Sequence, residues 1–187
     1  MDEWICFGQV TERASIMRAA IVIGLFVSLC GFASADDVQF VEINQVRLYQ
    51  PDAVLKDRVG DDSAPLARYM SGLATTLALS LKKPDHSAPK GLLVVVGVKP
   101  GKKSKVWCDA VEGEIPADEL AQLEKKLAAD PPIAVKDGPI AFAIEFRLWH
   151  EKPEKFPEAP KAWTAAMKKS ERTISVPDGL FKVIWPD

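Results

Sequence analysis

Thiols and imidazoles are the side chains that most readily become nucleophile, base or metal ligand, and this chain has few of them. Beyond residue 35 the only cysteine is Cys108, and the two histidines of the whole chain are His86 and His150. A thiol acts as a nucleophile when a base stands beside it and a third group orients that base. Cys108 lies in the stretch KVWCDAV, which reads as a strand with Cys108 turned to the core. His86 follows Pro84 in a polar loop. Neither carries a local catalytic signature. The pair reads as a buried small hydrophobe and a solvated loop histidine.

Metal and phosphate chemistry find no better footing. His86 and His150 are far apart, and no H-x₃-H or C-x-x-C spacing occurs. Asp109, Glu112 and Glu114 gather carboxylates near a strand end but lack the dense oxygen pattern of a calcium loop. Glycines are scattered, so no phosphate-binding loop is expected. Lys99, Lys102, Lys103 and Lys105 form a basic turn of the kind that ends many solvated hairpins. These patterns imply no catalytic set, no metal and no cofactor.

The tryptophans are more suggestive. In strand geometry Trp107 and Trp149 fall opposite Cys108 and Phe142, on a face shared with Asp109, Glu145 and Arg147. Tryptophan and arginine are enriched at binding hot spots. Trp107, Asp109, Glu145, Arg147 and Trp149 are therefore the candidate partner-binding residues. A competing arrangement has the C-terminal segment folding back over this face, burying the tryptophans under Trp163, Phe181 or Trp185. It is the favoured one, because that segment must bury its own apolar residues.

The elements that position these residues follow from periodicity. Residues 38–49 read as extended, with Val41 and Ile43 on one face and Val46 and Leu48 on the other unless a bend near Asn44-Gln45 reconciles them. Pro51 through Asp62 reads as a loop. Asp61-Asp62-Ser63 and Pro65 open a helix whose stripe is Leu66, Tyr69, Met70, Leu73, Leu77 and Leu81, ended by Pro84. Leu92 to Val98 is apolar on both faces, as an interior strand would be. It joins residues 105–111 through Pro100-Gly101. A second helix begins near Ile115 and buries Leu120, Leu123 and Leu127. The strand IAFAIEFRLW alternates most clearly, with Phe142, Ile144, Phe146 and Leu148 on its core side. Residues 151–160 read as a stiff, proline-rich, exposed linker, followed by a short helix to about Lys169. Thr173 to Trp185 reads as a closing hairpin around Pro177-Asp178-Gly179.

The chain's start bears on where it works. From Met17 it reads MRAAIVIGLFVSLCGFASADD: a positive residue, an apolar run of about a dozen residues, and Ala33-Ser34-Ala35 before Asp36. This is the pattern of a secretory signal with an A-x-A cleavage site, making 1–35 a signal peptide and 36–187 the mature domain. A spanning helix needs about 20 apolar residues, so stable membrane insertion is not expected after cleavage. Leu29 before Cys30 disfavours lipidation. The acidic stretch of residues 1–16 makes Met17 the better initiator. Asp2, Glu3 and Glu12 outweigh Arg13 and Arg18 by one, so of the net −2 the mature chain carries −1. That balance gives no basis for nucleic-acid binding. A lone Cys108 forms no internal disulfide, so the fold rests on its core.

The central order of helix, strand, strand, helix, strand covers about Ser63 to Trp149. With VVVGVKPGKKSKVWCDAV and KDGPIAFAIEFRL, it resembles the C-terminal domains of TonB and TolA. The resemblance implies a small periplasmic α+β domain that binds a protein, often by pairing a strand with a free sheet edge. Family members usually carry a membrane anchor and a long Pro-rich linker, which this chain replaces with a cleavable signal. Segments 38–49 and 151–187 have no counterpart in it.

The expected fold is therefore α+β: an antiparallel sheet of three to five strands with two helices packed on one face and a C-terminal extension from about residue 151. The expected role is a non-enzymatic protein-binding module, periplasmic or secreted, whose partner is an envelope or periplasmic protein. The alternative is an exported small-ligand carrier or enzyme with a pocket between the sheet and the C-terminal segment.

Overall fold

Three stretches with apolar residues at strand spacing and two at helical spacing supply most of the architecture. The computed structural model describes residues 41–81, 88–170 and 177–186. The expected signal segment, His86 and residues 173–176 of the expected hairpin lie outside the described residues. Backbone proximity gathers Asp36–Asp187 into one unit.

The protein is α+β. Strands β1 (Val41–Leu48), β2 (Gly91–Lys99), β3 (Lys103–Val111) and β4 (Ile140–Leu148) form one antiparallel sheet in the order β1-β4-β2-β3. The inner strands β2 and β4 are buried along nearly their whole length, and β2 is apolar on both faces, as burial on two sides favours. In β1 a bulge between Ile43 and Gln45 shifts the register against β4. It sets Val41, Ile43, Val46 and Leu48 opposite Leu148, Phe146, Ile144 and Phe142, all on one face. This is the bend that the β1 sequence demanded.

Helices α2 (Ala64–Ser80) and α3 (Ala117–Ala128) cover that face. Leu73, Leu77, Leu123 and Leu127 meet Leu92, Val94, Val96, Phe142, Ile144 and Leu148 there, all buried, with Leu120 half-buried beside them. Asp62 Oδ1 accepts the Ala64 N–H at 2.9 Å, tying the start of α2.

Three expectations are corrected. Residues 52–59 are a helix, α1 (Asp52–Val59), rather than loop. Leu55 and Val59, one turn apart, pack on the core, and Gly60 at φ 95° returns its N–H to Lys56 O. Residues 177–184 are a helix, α5 (Pro177–Ile184), rather than part of a hairpin. Pro177 suits a first turn, Asp178 favours the helix's positive end, and Leu180, Phe181 and Ile184 make one apolar stripe. Residues 151–160 are not an exposed linker. They form a strap with Pro153 and Pro160 buried, leading into α4 (Lys161–Ser170).

Helices α4 and α5 close the sheet's second face over Leu93, Val95, Trp107, Ala141 and Ala143. The sheet is thus packed on both sides, in three layers.

Candidate functional site

The five candidate binding residues do not form one exposed patch. Trp107 is 7% exposed. Its ring stacks on Phe181 at 5.9 Å and meets Trp163 edge-on at 5.2 Å. The favoured arrangement, with the C-terminal segment folded back, is the one the structure has. Asp109 serves this packing, since its Oδ2 accepts the Lys161 N–H at 2.7 Å where α4 begins. A side-chain acceptor there satisfies a free helix donor.

Glu145 is 3% exposed and held from two sides. Arg47 pairs with its Oε1, and Asn44 Nδ2 donates to its Oε2 at 3.1 Å. Arg147 forms a cross-strand pair with Glu42 at 2.5 Å, half-exposed on the same face. Trp149 leaves the strand alternation altogether. β4 ends at Leu148, and Trp149 and His150 both adopt positive φ, 57° and 62°. The turn swings the indole onto the first core, the face of Cys108. Trp107 and Trp149 therefore lie on opposite faces of the sheet.

The space between sheet and C-terminal segment is filled. A Cβ on Gly97 would fall 2.6 Å from the Phe181 ring, so the two layers meet at van der Waals distance. An open groove of about 610 Å³ lies on this side beneath the strap, lined by Arg47, Tyr49, Lys155, Phe156, Glu158 and Ala159. Arg47 Nη1 donates to the Glu158 carbonyl at 2.9 Å, and the Tyr49 hydroxyl donates to the same oxygen at 2.8 Å. Burial pushes the Tyr49 phenol up to about 12, against the nearby Arg47 charge. That phenol stays neutral near pH 7.

The basic turn is partly structural. Lys99 Nζ donates to Trp185 O at 2.7 Å and Lys105 Nζ to Ile184 O at 3.3 Å. Both cations thereby satisfy carbonyls at the negative end of α5. Cys108 is a free, buried thiol, and desolvation pushes its pKa well above the ordinary value. Among the described residues no group of three or more His, Cys, Asp or Glu side chains is placed to hold a metal ion.

The two ends of the sheet differ in a way the sequence does not announce. At β3, helix α3 lies along the edge. Glu124 Oε1 accepts the Cys108 N–H at 2.8 Å, and Ser104 Oγ donates to Ala128 O at 3.1 Å. At β1, no backbone partner from the described residues occupies the outer row. Beside that row stand three of the large apolar side chains that the fold leaves in water: Ile43, Val46 and Leu48, at 46%, 36% and 37% exposure. An open strand edge with apolar side chains is a template for adding another strand. β1, with the Arg47–Tyr49 groove behind it, is the candidate site.

Comparisons of the chain with protein-family models, with curated proteins and with solved structures found no match. Among the described residues no helix is long and apolar enough to cross a membrane.

Proposed function

We propose that this protein is an exported, non-enzymatic protein-binding module that takes a partner strand onto the β1 edge. The observation that carries the reading is the asymmetry of the sheet among the described residues: β3 is shielded by α3 through Glu124, whereas the outer row of β1, flanked by Ile43, Val46 and Leu48, has no described backbone partner. Charge and bulges are among the devices that blunt an edge, and β1 carries Glu42, Arg47 and a bulge. Its charges are already paired with Arg147 and Glu145, however, and its exposed apolar row is left uncovered by the described residues, which fits a docking role.

Export rests on the signal pattern of residues 17–35, and places the partner in the periplasm, the envelope or the medium. The TonB/TolA resemblance adds a precedent for strand pairing at a sheet edge. The carrier or enzyme alternative draws less support, because aromatic rings fill the layer where its pocket would lie.

The test is affinity capture from an envelope extract by the full chain, compared with Ile43→Lys and Val46→Lys. At least one protein retained by the wild type and lost by both variants is the expected result. Retention indifferent to both substitutions sinks the edge reading.

A further inference from the structure

The β1 edge is complementary to itself. Its sequence, Val-Glu-Ile-Asn-Gln-Val-Arg-Leu, read backwards sets leucine against valine, arginine against glutamate, valine against isoleucine and glutamine against asparagine. In an antiparallel pair of two copies, Val41 opposes Leu48, Glu42 opposes Arg47, Ile43 opposes Val46 and Asn44 opposes Gln45, each twice by symmetry. Apolar meets apolar, acid meets base and amide meets amide.

We infer that the occupant of the β1 edge is a second copy of this chain, paired antiparallel about a two-fold axis between Asn44 and Gln45. The inference rests on the edge-binding reading above and names its partner. Three features support it.

The first is the bulge. Each opposed pair joins an odd-numbered and an even-numbered residue. In regular strands such a pair sets opposite faces against each other, because side chains alternate. The bulge between Ile43 and Gln45 shifts the alternation by one. Carried by both copies, it brings every pair outside the centre onto a common face, with two residues between Ile43 and Val46 on each strand.

The second is the direction of the backbone groups. Tyr49 donates its N–H inward to Ala141 O at 3.1 Å. Alternation then turns the Arg47 N–H inward and those of Leu48 and Val46 outward. Val41 and Ile43 share the face of Val46 and Leu48, hence the same outward direction. The outward groups therefore belong to Val41, Ile43, Val46 and Leu48, which this register opposes to one another as hydrogen-bonded pairs.

The third is charge. Within one copy Glu42 pairs with Arg147, and Arg47 with Glu145, all on the strap side of the sheet. Setting Glu42 against Arg47 of the second copy lines up Arg147, Glu42, Arg47 and Glu145 across the junction, with signs alternating throughout. The matching row on the other face would place Ile43 and Val46 of each copy together, taking their exposed surface out of water. The result is a continuous eight-stranded sheet.

Sedimentation of the full chain tests the association. The wild type is expected to dimerise, and Ile43→Lys to weaken self-association by at least about tenfold, because it sets a cation beside apolar Val46. Compared at a dilution where both are monomeric, its melting temperature should stay near wild type, since in the single copy Ile43 is already half in water. Register is tested by oxidation in a Cys6→Ser, Cys30→Ser background. Opposed hydrogen-bonded residues have Cα atoms about 5.5 Å apart, within reach of a disulfide. Ile43→Cys mixed with Val46→Cys should cross-link, and neither should do so alone. A monomeric wild type, or cross-links in the unmixed samples in place of the mixture, overturns self-pairing. If the monomer still captures another protein through Ile43, the edge reading survives without it. If the mixture cross-links but nothing else is captured, self-pairing stands and the wider partner reading falls.

Discussion

Arg58 and Asp178 join the two helical layers around the end of the sheet. Arg58 Nη1 and Nη2 donate to Asp178 Oδ1 and Oδ2, each at 2.7 Å. Arg58 belongs to α1, against the first core, and Asp178 to the first turn of α5, against the second. Arg58 Nη1 also donates to Pro139 O at 2.5 Å, just before β4. One guanidinium thus fixes α5 to the strand that leads into the centre of the sheet.

Asp178→Asn should loosen α5 and lower stability by about 1 kcal/mol, a small value because the carboxylate is half-exposed. Arg58 holds the Asp178 carboxyl below the usual aspartate range. The folded state therefore binds this proton less readily than the unfolded chain. The pair's contribution is fully present above the ordinary value, about 3.9, and fades as pH falls through the depressed one. Tryptophan emission followed between pH 5 and pH 2 should show the wild-type advantage over Asp178→Asn vanishing at the acid end.

Gly97→Ala tests the contact between sheet and C-terminal helices. The added methyl meets the Phe181 ring at 2.6 Å and Trp107 at 3.2 Å. Overpacking of this kind costs roughly 1–3 kcal/mol. A thermal melt should report the loss, and tryptophan emission should shift red as Trp107 gains water. Unchanged stability and emission would mean the layers are not in contact here.

Glu145 and Arg147, two residues apart on one strand, should respond very differently. Glu145→Ala strips the buried partner from Arg47 and is expected to cost about 3 kcal/mol. Arg147→Ala removes a half-exposed pair with Glu42, worth roughly 0.2–1 kcal/mol. Urea denaturation of both variants decides between this ranking and two equivalent surface charges.

Glu124 carries a conflict that substitution can separate. Burial raises its pKa, more strongly than the Cys108 N–H lowers it. The folded state thus holds this proton more tightly than the unfolded chain, so its contribution to stability declines as pH rises from the ordinary glutamate value through the raised one. Glu124→Gln keeps the acceptor without the charge and should match or slightly exceed wild type at pH 7. Glu124→Ala leaves the Cys108 N–H without its acceptor and should cost about 1–3 kcal/mol. Thermal melts at pH 5 and pH 7 give both comparisons.

How much of this the sequence disclosed depends on how local each signal is. Leu66 to Leu81, Leu120 to Leu127, and Phe142 to Leu148 repeat over several turns or pleats, so α2, α3 and β4 are legible from periodicity alone. So is the bulge in β1, because Ile43 and Val46 demand one. Helix α1 has a single apolar pair, Leu55 and Val59, in a polar background. Pro51 before it and Gly60 after it were the available signals. Helix α5 was obscured by Pro177-Asp178-Gly179, which suits a turn and a helix start alike. The placement of Trp149 turns on a positive φ that no residue type there requires. The open edge was illegible for a deeper reason: β1 is an edge only because β4, distant in the chain, takes the place beside it.

That pairing order also dictates a timetable. β1 comes first in the sequence, yet its neighbour in the sheet is the last strand, and Asn44 and Glu145 stand 101 residues apart. A chain emerging from its N-terminus completes the β2–β3 hairpin while β1 still has no strand to join. Only when β4 arrives, sliding between β1 and β2, do the two halves of the sheet become one. Until then the apolar row from Val41 to Leu48 is bare on both sides, and closing so long a loop is slow. A factor that held the unfinished chain by this first strand would have to let go before the last one docks.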